Sequence, residues 1–175
     1  MKKLVYTALI AALYAALTIF LAPISYGVIQ IRLSEALTVL PFFSFYPVIG
    51  LFIGCIISNL FSPAGVLDII FGSLATLISA FITYFIGKSR LKFKKFIAPL
   101  PAVIINGIMI GILLNLSIVK DPVTAAFTGF KLNKALLLSS MFTIGFEEII
   151  PCYVLGLPLI YLISKNKVLK KYFSI

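Results

Sequence analysis

The sequence predicts an all-α integral membrane protein: a bundle of six transmembrane helices with both termini in the cytoplasm. Three observations lead there. Of the 175 residues, 62% are hydrophobic and 11% charged, and the mean hydropathy is +1.17; soluble domains carry about twice that charged fraction. The apolar residues fall in long runs, and at roughly 20 residues per crossing the length accommodates six helices in a single domain, residues 1–175. The basic residues collect between those runs.

The elements follow in order. The first span is expected over residues 3–22, stopping before Pro23. Its apolar run is longer than the ~7–15 residue core of a secretory signal, so it reads as a membrane helix. A loop, PISYGVIQIRL, leads to a short second span over 34–45, interrupted by Pro41. The third covers 47–60, with proline tolerated in its first turn. After FSPAG the fourth covers 67–87 and the fifth 96–118. A loop over 119–134 precedes the sixth span, 135–164.

Charge sets the orientation. Eleven of the fifteen basic residues lie at Lys2 and Lys3, between Lys88 and Lys95, or between Lys165 and Lys171, and none of the five acids does. With both termini inside, all three clusters are cytoplasmic, and Arg32, Lys120, Lys131 and Lys134 are left outside. That matches the positive-inside rule. The formal charge of +10 does not indicate nucleic acid, because the aromatics lie in the spans rather than among the bases. Anionic membrane lipid suits the clusters better. The spans differ too much in length and polarity to form an inverted-repeat carrier.

In this orientation Gln30, Arg32, Ser34 and Glu35 stand at the outer end of the second span. Asn59 closes the third and Asp68 opens the fourth, on the same side. Asn106 is near mid-depth in the fifth span and Asn115 toward its outer end. Glu147 and Glu148 lie near mid-membrane in the sixth. An intramembrane carboxylate costs about 2.5–3.5 kcal/mol on insertion scales, so such groups face a bundle interior or a wet cavity. Together they describe a polar pocket open to the outside. Capping is an equal alternative for Ser34 with Glu35, and for Asp68. Asn59 also suits a helix end, and Arg32 either snorkels or pairs with Glu35. In FEEIIPCY, adjacent helical residues point about 100° apart, so the two glutamates cannot share one target. Pro151 removes the hydrogen bond to the Glu147 carbonyl and favours a kink.

Stripes of small residues mark close contacts between helices. Gly50, Gly54 and Ser58, and likewise Gly107 with Gly111, suit packing within the bundle. Ala8, Ala12 and Ala16 suit either internal packing or docking of another membrane protein. Cys55 and Cys152 lack metal-ligand spacing and read as structural thiols. The sequence holds no histidine and no G-x-x-x-x-G-K-[ST] loop, which removes histidine-dependent peptidase chemistry and ATP binding. An enzyme is not expected, nor a bound metal or cofactor.

IQIRLSEALTVLPFF, GLFIGCIISNL and DIIFGSLATLISAF, with GFEEIIPCYVLGLP later in the chain, closely resemble the QueT family. These are substrate-binding S components of energy-coupling factor (ECF) transporters. The resemblance is densest over residues 30–81, and the six-helix layout extends it over the whole chain. It implies a cell-membrane subunit with an outward pocket capped by the loop between the first two helices. The partners it implies are a transmembrane coupling subunit (T component) and two cytoplasmic ATPases, which use the ATP. Ala8, Ala12 and Ala16 match the A-x-x-x-A surface by which S components dock. The implied substrate is a queuosine precursor, a 7-deazaguanine such as queuine or its aminomethyl relative. Arg32, Glu35, Asn59, Asp68, Asn106, Glu147 and Glu148 are the candidate ligand contacts, with Tyr26 or Phe42 stacking on the base. The alternatives are an S component for another vitamin-like solute and an accessory membrane protein without a ligand.

Overall fold

A computed structural model describes residues 2–26, 31–63, 65–120, 127–132 and 134–173. Gln30 and Asp121 lie outside the described residues. The chain begins with α1 (Lys2–Phe20), a single turn α2 (Ala22–Ser25), and a 3-10 helix, Leu33–Phe42. Helices α3 (Tyr46–Asn59), α4 (Val66–Lys88), α5 (Lys94–Ile97) and α6 (Leu100–Leu114) follow. A two-stranded antiparallel ribbon, β1 (Leu116–Lys120) with β2 (Phe127–Leu132), pairs Leu116 with Leu132 and Ile118 with Phe130. The chain closes with α7 (Lys134–Ile149), a π-helical segment, Ile150–Gly156, then α8 (Leu157–Lys165) and α9 (Lys167–Phe173).

Four helical stretches are long and apolar enough to cross a membrane: Lys3–Phe20, Val66–Lys88, Lys94–Leu114 and Leu136–Lys165. Two shorter apolar helices, Leu33–Phe42 and Tyr46–Asn59, accompany them. The polarity of the bundle is that of a protein in lipid. Leu9, Leu13, Ile49, Ile53, Ile78, Phe81, Ile104 and Phe142 are exposed, whereas Thr18, Ser34, Glu35, Asn59, Asp68 and Thr76 are buried. Such a belt on a soluble domain would be an aggregation surface.

Two regions depart from the expected spans. The apolar pattern carries the fifth span to residue 118 and places a loop after it. Instead α6 ends at Leu114, and residues 116–120 and 127–132 form the ribbon. The β-branched and aromatic residues of LSIVK and FTGFKL favour paired extended chain. The second departure is the interrupted second span, which is a ten-residue 3-10 helix. Its rise of about 2.0 Å per residue stretches ten residues over about 20 Å. From Ser34 to Pro41 every residue is buried, so this thin rod occupies the centre of the bundle. Pro41 sits inside it.

Pro151 acts in the sixth span as its chemistry demands: the regular helix gives way at residue 150 to the wider π turn. Gly156 at the end of that segment lies against the 3-10 helix, where an added Cβ would come 2.9 Å from Val39 Cγ1.

The first and third spans meet through glycine. A Cβ on Gly50 would lie 2.7 Å from the Thr7 carbonyl oxygen, and one on Gly54 would lie 2.7 Å from that of Ala11. Thr7, Ile10, Ala11 and Tyr14 therefore form the inner face of α1. Both clashes are with backbone, which cannot rotate away, so overpacking costs about 1–3 kcal/mol or more. Gly54→Val is expected to lower stability by at least that amount in detergent melts, while Ile53→Val, on the exposed face, stays within about 0.5 kcal/mol. Equal melting of the two variants would contradict this packing.

One end of the bundle gathers the basic clusters. The Phe173 ring packs against Tyr6 at 5.7 Å and Phe43 at 6.5 Å, bringing the two chain ends together. Phe42 lies there too: its carbonyl is where a Cβ on Gly87 would clash, and Lys94 Nζ sits 5.6 Å from its ring centre. Phe42 is thus about 20 Å along the 3-10 helix from Arg32, too far to stack on a base held beside Arg32, which corrects the expectation that it does so. Arg32, Asn59 and Asp68 lie toward the opposite end.

Candidate functional site

Arg32 and Glu35 are three residues apart, and on a 3-10 helix residues at that spacing eclipse. Arg32 immediately precedes the helix and Glu35 lies in its first turn, so both side chains project from one face. That face looks into a small cavity of about 20 Å³, lined by Arg32, Glu35, Gly72, Thr76, Asn106, Ile110, Ile144 and Glu148. Three helices complete the walls, each contributing a pair four residues apart: Gly72 and Thr76 on α4, Asn106 and Ile110 on α6, Ile144 and Glu148 on α7. A void of this size holds about one water molecule.

A buried ionic network holds Arg32 in place. Its Nη2 donates to Asp68 Oδ2 at 3.0 Å and its Nη1 to Asn59 Oδ1 at 3.2 Å. Asn59, the last residue of α3, also donates Nδ2 to the Asp68 carbonyl oxygen at 3.0 Å. Gly72 makes room for this cluster, because a Cβ there would stand 2.7 Å from Asn59 Nδ2 and 3.0 Å from Asp68 Oδ1. On the far side the Tyr26 ring covers the guanidinium at 5.4 Å, a cation–π contact. The Tyr26 hydroxyl donates to the Ser58 carbonyl oxygen at 2.6 Å.

The two cavity carboxyls are held differently. Tyr14, fully buried on the inner face of α1, donates its hydroxyl to Glu35 Oε1. Glu35 Oε2 is buried and has no hydrogen-bond partner among the described residues. Glu148 Oε1 accepts from Asn106 Nδ2 at 3.1 Å, and its Oε2 accepts from the Cys152 thiol at 3.7 Å. The site therefore places three carboxyls, Asp68, Glu35 and Glu148, around one guanidinium. A buried excess of acceptors calls for donors or positive charge.

Of the residues singled out in the sequence, Arg32, Glu35, Asn106 and Glu148 line the cavity, and Asn59 and Asp68 brace Arg32. Glu147 is half-buried and is not among the cavity-lining residues. Ala8, Ala12 and Ala16 are exposed, whereas Ala11 and Ala15 are buried. Sequence reasoning missed Tyr14 and Thr76. The signal for Tyr14 was present: Thr7, Ala11, Tyr14 and Thr18 recur at helical spacing on the face opposite the exposed alanines.

A multi-pass bundle that is apolar outside and encloses a small cavity of opposed charges is a membrane protein with a buried polar site. Its class is that of a multi-pass integral membrane protein. The family model described as QueT transporter matches residues 4–165, and the chain belongs to the QueT family. It is similar to the queuosine precursor transporter QueT of Lactococcus lactis subsp. cremoris (strain MG1363), with 47% identity over 77 residues. That similarity covers 43% of this chain and 45% of the relative, less than half the relative's length. No solved structure matches the chain. Membership of a transporter family makes the chain a multi-pass membrane protein and not an enzyme.

Proposed function

We propose that this chain is the substrate-binding subunit of an ECF-type importer and that its ligand is a queuosine precursor of the 7-deazaguanine class. The cavity carries the reading: Glu35 and Glu148 stand beside Arg32 and Asn106, with Glu35 Oε2 unpartnered among the described residues. A guanine-like edge offers an adjacent ring N–H and amino group, which one carboxylate accepts as a pair. In the aminomethyl precursor a cationic side chain takes the second carboxylate. The ring carbonyl accepts from Asn106 or Arg32, and Tyr26 stacks above the guanidinium. A pocket for a ligand of this size is about 300 Å³ or more, so binding requires the walls to part. The π turn beside Glu148 and the Tyr26–Arg32 contact are the places for that movement.

In this reading the bundle makes six crossings, counting the two shorter helices. The end that gathers the basic clusters is cytoplasmic, and the Arg32 end opens outward. A transmembrane coupling subunit docks on α1, and two cytoplasmic ATPases bind and hydrolyse the ATP. The exposure of Ala8, Ala12 and Ala16 supports the docking face, since the opposite face of α1 already packs on α3. Ala12→Trp is therefore expected to lower cellular uptake at least tenfold, a loss of about 1.4 kcal/mol or more in coupling, and to leave ligand affinity unchanged. Normal uptake would remove the docking role of this face.

Titration of purified protein tests the ligand. Queuine or its aminomethyl relative is expected to bind more tightly than about 1 μM, without competition from riboflavin, biotin or thiamine. Binding of neither below about 100 μM, or displacement by one of the vitamins, would overturn the assignment.

A further inference from the structure

Two concave features lie on the outer surface of the bundle along one seam, where α5 and α6 meet α7, the π segment and α8. The first, at the basic end, is a cleft of about 350 Å³ lined by Lys95, Tyr161, Leu162, Ser164 and Lys165. The second is an open groove of about 460 Å³ between α6 and α7, lined by apolar side chains and the two glycines at its floor, Gly107 and Gly145. Ile104, Ile108, Phe142 and Phe146 form its exposed walls. Neither belongs to the polar cavity described above.

The elements that carry the two features adjoin: α5 meets α6 and α8, and the π segment meets α6, α7 and α8. Phe96, next to Lys95 on α5, and Tyr153, on the π segment, pack edge to face at 5.5 Å, and Val103, which lines the groove, is eight residues from Lys95. At about 1.5 Å per residue that is about 12 Å, within the ~15 Å depth of one leaflet's hydrocarbon. The polar end carries two cations from segments seventy positions apart in sequence. Lys95 Nζ rests 5.2 Å above the Tyr161 ring, and neither lysine pairs with a carboxylate among the described residues. The chain's acids stand at positions 35, 68, 121, 147 and 148, none of them in the segments forming the cleft.

We propose that an anionic phospholipid occupies this seam, its phosphate between Lys95 and Lys165 and one acyl chain in the groove over Gly107 and Gly145. Headgroup recognition follows from the paired cations and the Ser164 hydroxyl, because basic clefts between helices at the membrane surface attract anionic headgroups. Gly145 keeps the acyl groove open: a Cβ there would meet only the Val103 carbonyl oxygen, at 3.8 Å, so its position is not filled by a neighbouring helix. The lipid would wedge α6 against α7, the two helices that carry Asn106 and Glu148.

Native mass spectrometry of the full chain with added dioleoyl phosphatidylglycerol or dioleoyl phosphatidylcholine tests this. The wild type is expected to retain the anionic lipid at least tenfold better. Lys95→Gln and Lys165→Gln should each lower that preference about fivefold, and Gly145→Leu, which fills the groove, should weaken retention of both lipids. Equal retention of the two lipids by the wild type would overturn the proposal. So would an unchanged preference in the doubly substituted K95Q/K165Q chain, because these surface changes do not threaten the fold. Loss of preference in K95Q/K165Q together with full retention in Gly145→Leu would also count against it, since the acyl groove would then have no part.

Discussion

Asp68→Ala is expected to cost about 3–5 kcal/mol of stability, the penalty for leaving a buried guanidinium without its counter-ion. Arg32 and Asp68 have side chains only 10% and 4% exposed, and they meet at 3.0 Å. Asn59, which also bonds the guanidinium, is neutral, and Glu35 and Glu148 share the cavity with Arg32 without replacing the 3.0 Å pair. The melting temperature in detergent should fall by about 10 °C. Asp68→Asn keeps a hydrogen-bond acceptor and should lose less. The double substitution Arg32→Met with Asp68→Leu should recover most of the loss, because an apolar pair of similar volume needs no desolvation. A double variant as unstable as Asp68→Ala would show that the pair matters for something besides its buried charge.

Glu148→Gln is expected to weaken ligand binding by about 10- to 100-fold, the value of one charge-assisted hydrogen bond to a buried carboxylate. The fold should survive, because the glutamine amide can still accept from Asn106, now 3.1 Å from Glu148 Oε1. Glu35→Gln should weaken binding comparably and also disturb the Tyr14 contact. Glu147→Gln, one residue away but turned from the cavity, should change affinity by less than about threefold. Calorimetric titration of the three variants decides the matter. If Glu147→Gln were the damaging change, the cavity would not be the ligand site.

How much of the fold was legible in the sequence varies with the physics involved. The long spans could be read because a run of about 20 apolar residues suits little besides a membrane crossing. The 3-10 helix could not: residues 34–41 are buried all round, so no amphipathic period distinguishes 3.0 from 3.6 residues per turn. Yet this geometry is what turns Arg32 and Glu35 onto one face. The ribbon was hidden for the opposite reason, since its two strands are five and six residues long and offer too little alternation to stand out.

The candidate site was legible wherever charge was involved. A carboxylate in an apolar chain is costly enough to draw attention, and Glu35, Asp68 and Glu148 all come together around Arg32. The choice between Glu147 and Glu148 needed the phase of α7, which two adjacent glutamates do not provide. Thr76 was silent because threonine hydroxyls in helices commonly bond to their own backbone, as Thr76 does to the Gly72 carbonyl oxygen at 3.1 Å. Tyr14 was marked by the helical spacing of the inner face of α1, but not by any sign of its partner, Glu35. Phe42 as a stacking partner for the base failed because the 3-10 rise carries it to the far end of the bundle from Arg32.

Whether the cavity between Arg32, Glu35, Asn106 and Glu148 holds a 7-deazaguanine is tested most directly by mass spectrometry. Small molecules released from the gently purified chain would be identified, with the Glu148→Gln chain prepared in parallel. A 7-deazaguanine base at about one per wild-type chain, and strongly depleted in Glu148→Gln, is the predicted result. A different solute, or the same base retained equally by both chains, would contradict it.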